Sequence, residues 1–141
     1  MSFVHKGGAA QSVPMRCGTS SSVTVGSLLT FDRTNGIVIL GTATLLAEDA
    51  AGVAMNTPVS ADTEVSVMPI ITGDLWEWDC TNNTATNQLC KRSLLTDSLV
   101  VANTSTDITT NVLTVTPLSN VGAVANKKQY GYINLVPATL S

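Results

Sequence analysis

The carboxylates and tryptophans between residues 73 and 80 form the densest group of side chains in the sequence that could take part in chemistry. The segment is GDLWEWDC, and in an extended strand successive side chains point to opposite faces. Trp76 and Trp78 therefore share one face, and Glu77 and Asp79 share the other. Two acids on one strand face can bind a cation or flank a sugar, and exposed aromatic rings can stack on carbohydrate. We favour the simpler interpretation of a half-buried strand with a packed aromatic face and a solvated acidic face.

The other side chains with catalytic or metal-binding chemistry lack suitable partners. The sequence has one histidine, His5, which falls in an N-terminal segment that we expect to be extended, where it is poorly placed as a general base. Cys17, Cys80 and Cys90 show no spacing typical of zinc ligands. Cys80 and Cys90 bracket a turn-rich segment and could face each other, yet a reducing cytoplasm would keep both as thiols. We expect no catalytic residue, no metal and no cofactor.

Charge is scarce along the whole chain. Charged residues make up 12% of the 141 residues, against about 25% in ordinary soluble domains, and the net charge is -3. The few basic residues give no footprint for nucleic acid, and no apolar run approaches the roughly 18 residues needed to span a membrane. The sequence also lacks the apolar core of a secretion signal, so we expect synthesis in a cytoplasm. Such low charge indicates a surface largely covered by other protein.

Short β-rich runs separated by turn residues position these side chains. The strongest local signal is VTVGSLLTFDRTNGIVIL at 23–40, in which Asn35-Gly36 can form a hairpin turn between two strands. One helical turn is predicted at 43–51. The further predicted strands are 52–57, 64–70, 74–80, 87–92, 98–102, 112–116 and 129–136. The pattern predicts an all-β fold, a small antiparallel β-barrel or sandwich with little helix.

The chain divides into a short extended segment and one domain. Residues 1–22 contain few large apolar side chains and no sustained period, which predicts an extended N-terminal arm. Residues 23–141 form the barrel or sandwich domain. GSLLTFD at 26–32 aligns with GDLWEWD at 73–79, so this domain is either one unit or two weakly repeated β-modules.

The few apolar side chains of the arm are candidates for contact with a neighbouring subunit. An extended arm can become ordered by adding a strand to an exposed sheet edge of another protein. Trp76, Trp78 and Phe31 are predicted to be buried, either in the core or in an interface. The predicted interface residues are Phe3, Val4, Val13, Met15, Trp76 and Trp78.

Four segments carry short motifs that occur together in one group of proteins. They are VTVGSLLTFDRTNGIVIL, AEDAAGVAM, ADTEVSVMPI and YGYINLVP, which contain a G-x-L-x-x-x-D...N-G hairpin, an A-G-V-A strand and a closing G-x-I strand. In these features the chain resembles the capsid decoration, or cement, proteins of tailed bacteriophages over about residues 23 to 136. The resemblance implies a small β-barrel that binds the outside of an icosahedral shell as a dimer or trimer. It also implies that the protein reinforces joints between major capsid protein subunits.

The resemblance implies a structural virion protein and not an enzyme, and the low charge and the lack of a catalytic constellation agree with this expectation. Its expected location is the outer capsid surface after synthesis in the host cytoplasm, and its expected partners are the major capsid protein and itself. One alternative is another virion subunit, from the tail tube or the head-completion complex. A second alternative, from a different class, is a carbohydrate-binding β-module that uses Trp76 and Trp78.

Overall fold

The described part of the chain forms eleven strands, several of which alternate buried and more exposed side chains. The structure is a computed structural model, and it describes residues 3–18, 22–59, 64–81, 84, 89–95, 100–102, 112–121 and 127–135. Parts of several predicted strands and turns, including 87–88, 98–99 and 103–111, lie outside the described residues. The fold is all-β, with two antiparallel sheets that pack as a sandwich and do not form a closed barrel, which confirms the predicted fold class.

The first half of the chain supplies one sheet and the second half supplies most of the other. The five-stranded sheet consists of β2 (Val13–Arg16), β3 (Leu28–Asp32), β4 (Ile37–Leu40), β5 (Ala50–Ala54) and β6 (Glu64–Met68), in the order β2-β6-β5-β3-β4. The six-stranded sheet consists of β1 (Val4–Gly7), β7 (Leu75–Cys80), β8 (Ser93–Leu95), β9 (Val100–Ala102), β10 (Thr114–Asn120) and β11 (Lys128–Asn134). Its order is β1-β7-β11-β10-β8-β9, and β9 also pairs in parallel with β7.

The main core lies between the two sheets and contains both tryptophans. Trp76 and Trp78 are each 0% exposed, as the alternation along β7 predicts. Leu28 and Val53 reach the same cluster from the five-stranded sheet. The aromatic face of the 73–80 segment is therefore the inner face of a strand, which confirms that it packs against protein.

The β3–β4 hairpin forms where Asn35-Gly36 predicts a turn. Leu29 pairs with Leu40, and the amide of Gly36 donates to the carbonyl of Asp32 at 2.9 Å. Gly36 has a φ of 66°, a left-handed conformation that glycine adopts at little cost. The turn residues 33–36 are exposed, so the hairpin ends at the surface of the sandwich.

The predicted helical turn at 43–51 contains a short 3-10 helix, Ala47–Asp49. It follows Leu45, which is 4% exposed and belongs to the main core. Within the described part of the chain, no helix is long and apolar enough to cross a membrane.

The N-terminal segment is part of both sheets. β1 pairs with β7 and β2 pairs with β6, both in antiparallel register. Phe3 is 2% exposed, and the centroid of its ring lies 6.2 Å from that of Trp78. The segment is extended, as predicted, but the expectation that residues 1–22 lie outside the core is wrong, because sheet edges in both halves of the domain take up its strands. A long-range pairing of this kind leaves no periodic signal in so short a segment.

The two aligned segments begin in the same way but continue differently. Gly26 and Gly73 both have positive φ, 87° and 93°, and each comes just before a strand, β3 or β7. However, β3 pairs with β5 in antiparallel orientation, whereas β7 pairs with β9 in parallel. The similarity of the two segments therefore extends to the start of a strand and not to the topology of the sheets.

Candidate interaction surface

The five-stranded sheet carries apolar side chains on both faces. Leu28 points into the main core between the sheets, whereas its neighbour Leu29 points to the opposite, outer face. A second apolar cluster covers this outer face. Its buried members are Cys17, Val23, Leu29, Val38, Ala51, Ala54, Val65 and Val67.

At one end of the outer face the second cluster opens into a groove of about 480 Å³. We call this the outer groove, and it lies between β2 and the β3–β4 hairpin. Its lining residues are Met15, Arg16, Phe31, Asp32, Arg33, Gly36, Ile37 and Val38. Phe31 is 38% exposed and so does not lie in the core, and its burial in an interface stays a prediction. Phe31 lies near the end of β3, next to the exposed turn.

Two local contacts fix the walls of the outer groove. Cys17 forms an isolated parallel bridge with Val38, which brings the end of β2 alongside β4. Phe31 pairs with Val38 across the hairpin, so the aromatic ring projects from the same face. The groove is therefore a feature of paired strands, which hold its apolar side chains at defined positions.

Two charged groups at the rim are already engaged by the protein. Arg33 Nε lies 3.1 Å from Asp49 Oδ1, and the guanidinium lies 5.3 Å from the centroid of the Phe31 ring. The carboxylate of Asp32 accepts hydrogen bonds from the backbone amides of Thr34 and Asn35 at 3.1 and 3.2 Å. The side-chain amide of Asn35 is the main cause that lowers the pKa of Asp32. Arg16, the other charged residue of the lining, is exposed. Binding in the groove would therefore combine apolar contact with the exposed guanidinium of Arg16.

The predicted interface residues of the N-terminal segment divide between the core and this surface. Phe3 is inside the sandwich, and Val4 is half-buried in β1. Val13 is 43% exposed, and its neighbour on the same face of β2, Met15, lines the outer groove. The structure thus brings Val13 and Met15 to one apolar surface. Phe31, which is predicted to be buried in the core or in an interface, also lines the groove. Ile37 was not a predicted member of this surface, although its position beside the predicted turn was an available signal.

The two tryptophans cannot serve as a carbohydrate platform in this fold. A sugar that stacks on an aromatic ring needs an open ring face, and Trp76 and Trp78 have none because both are fully buried. They also offer no surface to a partner subunit. Their role is packing between the sheets.

The acids on the opposite face of β7 form ion pairs with lysines from neighbouring strands. Lys128 Nζ lies 2.6 Å from Asp79 Oδ1 and 3.9 Å from Glu77 Oε1. Lys6 Nζ lies 3.7 Å from Glu77 Oε2. The hydrogen bond to Asp79 is the main cause that raises the pKa of Lys128. These alternating charges are a cross-strand ladder and not a cleft with a pair of catalytic acids.

His5 lies in β1 and contacts two side chains of the sandwich. Its Nε2 lies 2.9 Å from Asp74 Oδ2, and its ring packs edge-on against Trp76 with centroids 5.0 Å apart. Among the described residues, Asp74 is the polar side chain that His5 contacts by hydrogen bonding. Among the described contacts of this pair there is no hydroxyl or thiol that could act as a nucleophile. The hydrogen bond instead connects β1 to the residue that precedes β7.

The cysteines form no disulfide in the described part of the chain. Cys17 and Cys80 are buried, and Cys90 is exposed. Burial is the main cause that raises the pKa of the Cys80 thiol to about 12. In the same described ranges, no group of three or more histidine, cysteine, aspartate or glutamate side chains is arranged to hold a metal ion.

Comparisons with protein-family models, with curated proteins and with solved structures found no match for this chain. The outer groove and the fold that positions it are therefore the features from which a function can be argued.

Proposed function

We propose that this chain is a structural subunit of a tailed-bacteriophage particle. In this proposal it binds the outer surface of an icosahedral capsid and cements neighbouring major capsid protein subunits. The observation that carries the proposal is the outer groove, in which apolar side chains are exposed on paired strands. Exposed apolar surface of this kind is typical of sites that contact other proteins.

The composition supports attachment through apolar and neutral-polar contacts. Only 12% of the residues are charged, and two of the charged groups beside the groove, Arg33 and Asp32, are engaged by Asp49 and by the hairpin turn. Apolar contacts need no partner of opposite charge and weaken little when salt is added. A capsid surface that presents apolar side chains at the joint between two subunits would fit this groove.

A cement must contact more than one neighbour, and the sandwich exposes apolar side chains outside the groove as well. Leu118 and Tyr132, in β10 and β11 of the six-stranded sheet, are 37% and 39% exposed. We propose that the outer groove contacts the major capsid protein and that the six-stranded sheet serves self-association into a dimer or trimer. Linked copies gain in overall affinity through their high effective concentration, so each contact can be modest.

A binding assay with empty shells of the major capsid protein tests the proposal. The wild-type protein should sediment with the shells. Phe31→Ser removes a partly exposed ring from the groove and should weaken binding about 3- to 7-fold, since binding would bury the exposed 38% of a side chain whose full burial contributes about 1.5–3 kcal/mol. Val59→Ser is the matched control, because Val59 is apolar and 67% exposed and does not line the groove.

Two outcomes would contradict the proposal. If wild-type protein at micromolar concentration fails to sediment with intact shells, the proposal that it binds the capsid is wrong. Equal binding of Phe31→Ser and Val59→Ser to the shells would show that the outer groove does not contact the capsid. Electron microscopy that places bound copies only at the portal or tail would instead support a head-completion or tail subunit.

A further inference from the structure

Asp74, directly before β7, fastens the N-terminal segment through three hydrogen bonds. Its Oδ2 accepts from Nε2 of His5 at 2.9 Å and from the amide of Ala10 at 3.1 Å, and its Oδ1 accepts from the amide of Ala9 at 3.1 Å. The side chain of Asp74 is 4% exposed and that of His5 is 13% exposed. One buried carboxylate thus holds both β1 and the turn that follows it.

The turn after β1 is built closely around this carboxylate. Gly8 has a φ of 127°, and a Cβ at this position would collide with Oδ1 of Asp74. The β1–β7 ladder itself is short, with Val4 opposite Glu77 and an irregularity between His5 and Gly7. β1 is therefore a short edge strand, and the carboxylate adds three hydrogen bonds to its pairing with β7 and to the packing of His5 on Trp76.

The other charged groups near β1 and β7 lie on the opposite face of β7 from the tryptophans, and their side chains are more exposed than that of Asp74. Lys6 is 39% exposed and pairs with Glu77, and Lys128 of β11 is 44% exposed and pairs with Glu77 and Asp79. Exposed ion pairs contribute little to stability. They cannot replace the buried hydrogen bonds of Asp74.

We propose that residues 4–10 form an acid-releasable latch, in which protonation of Asp74 detaches β1 from the edge of β7 while both sheets stay folded. The segment would open as a loop between two anchors, the buried ring of Phe3 and the β2–β6 pairing. A protonated carboxyl is a weaker acceptor, and three donors from His5, Ala9 and Ala10 converge on it. β7 would remain paired with β11, so its backbone edge at 75–77 would become accessible to another strand.

The sign of the pH dependence follows from the pKa of Asp74. Burial raises this pKa, but the hydrogen bonds from His5, Ala10 and Ala9 outweigh burial and hold it below the ordinary 3.8. The carboxylate therefore stabilises the closed latch at every pH above 3.8. That contribution is lost as the pH falls through the lower pKa of the folded state.

Backbone ¹⁵N relaxation of the full chain between pH 7 and pH 2 tests the latch. We expect order parameters of residues 4–10 to fall from about 0.85 to below about 0.6 on acidification, while those of β10 and β11 stay near 0.85. Asp74→Asn, which cannot ionise, should open the latch at pH 7. Asp49→Asn, at an acid that pairs with Arg33 on the surface, is the matched control and should behave as wild type.

The latch is rejected if residues 4–10 keep order parameters near 0.85 in a folded Asp74→Asn protein at pH 7. It is also rejected if acid loosens residues 4–10 only together with β10 and β11, since that is global unfolding. Should Asp74→Asn fail to fold, the wild-type titration decides by itself, with β10 and β11 as the internal reference.

Discussion

Gln129 in β11 lies opposite Trp78 in β7, and its Oε1 accepts a hydrogen bond from the indole Nε1 at 3.3 Å. Both side chains are 0% exposed. The same oxygen accepts from Sγ of Cys80 at 3.4 Å, and Nε2 of Gln129 donates to Oδ1 of Asn120 at 3.2 Å. A shift in register would leave these polar atoms buried without partners, so the amide specifies the pairing of the two strands.

Replacing this amide should destabilise the sandwich. Gln129→Met keeps the length of the side chain but leaves the indole of Trp78 without its acceptor, at an expected cost of about 1–3 kcal/mol. Urea denaturation followed by tryptophan fluorescence measures the free energy of unfolding. Ser119→Ala, at an exposed position of β10, should change it by less than about 0.5 kcal/mol. Equal midpoints for the two variants would show that the buried amide does not stabilise the pairing.

A methyl group at Gly131 should be poorly tolerated. A Cβ there would collide with the carbonyl oxygen of Thr116 and lie 2.6 Å from the ring of Trp78. We expect Gly131→Ala to lower the free energy of unfolding by about 1–3 kcal/mol through overpacking. Gly7→Ala is the control, because no atom lies within 4 Å of the added Cβ and the change should be small. Thermal unfolding measures the stability of both variants. Equal losses of stability would mean that Gly131 is not specifically crowded.

The three thiols should differ in reactivity. Cys90 is exposed and should react with a thiol reagent at pH 8 in the native protein, whereas Cys17 and Cys80 are buried and should react only after unfolding. For Cys80 the raised pKa of about 12 also keeps the thiolate scarce at pH 8. Three thiols should be titrated in denaturant. Cys90→Ser should abolish the rapid native reaction, and rapid labelling that persists in this variant would contradict the buried positions.

The N-terminal segment should be required for folding. Phe3→Ala empties a site in the main core and should cost about 3–5 kcal/mol, and deletion of residues 1–22 should abolish cooperative unfolding because it removes β1 and β2. Phe31→Ala, at a ring that is 38% exposed, is the control and should cost much less. A truncated protein that unfolds cooperatively with the stability of the full chain would show that the segment is an independent arm.

Bound protein should make shells harder to disrupt by heat. A ligand that binds the assembled shell at about one hundred times its dissociation constant stabilises each site by roughly 2.7 kcal/mol. Because the groove is apolar, the protection should persist from low to high salt. Heating of shells with wild-type protein, and with Phe31→Ser at equal occupancy, measures this effect. If shells that carry bound protein disrupt at the same temperature as bare shells, the protein does not cement the capsid. Its role on the capsid would then be display.

Local patterns in the sequence were enough to predict most of the strands after residue 23, but not β1 or β2, and β8 begins at Ser93, after the predicted strand 87–92. Strict alternation placed Trp76 and Trp78 on a buried face, and Asn35-Gly36 predicted the β3–β4 hairpin, which the structure confirms. Both are properties of neighbouring residues, since a strand alternates its faces with a period of two and a tight turn needs left-handed φ. The scarcity of charge, a matter of composition, suggested in the same way that much of the surface is covered.

Only the tertiary structure decided which distant strands pair and which apolar residues stay exposed. The segment around His5 gave no periodic signal, yet β1 adds to β7 because Asp74, 69 residues further along the chain, supplies buried acceptors for it. Phe31 has the apolar character of a core residue, but it is partly exposed because it lies in the outer groove, next to the exposed hairpin turn. Pairing and cover depend on contacts between segments far apart in the chain, and these contacts leave no trace in the local pattern of either segment.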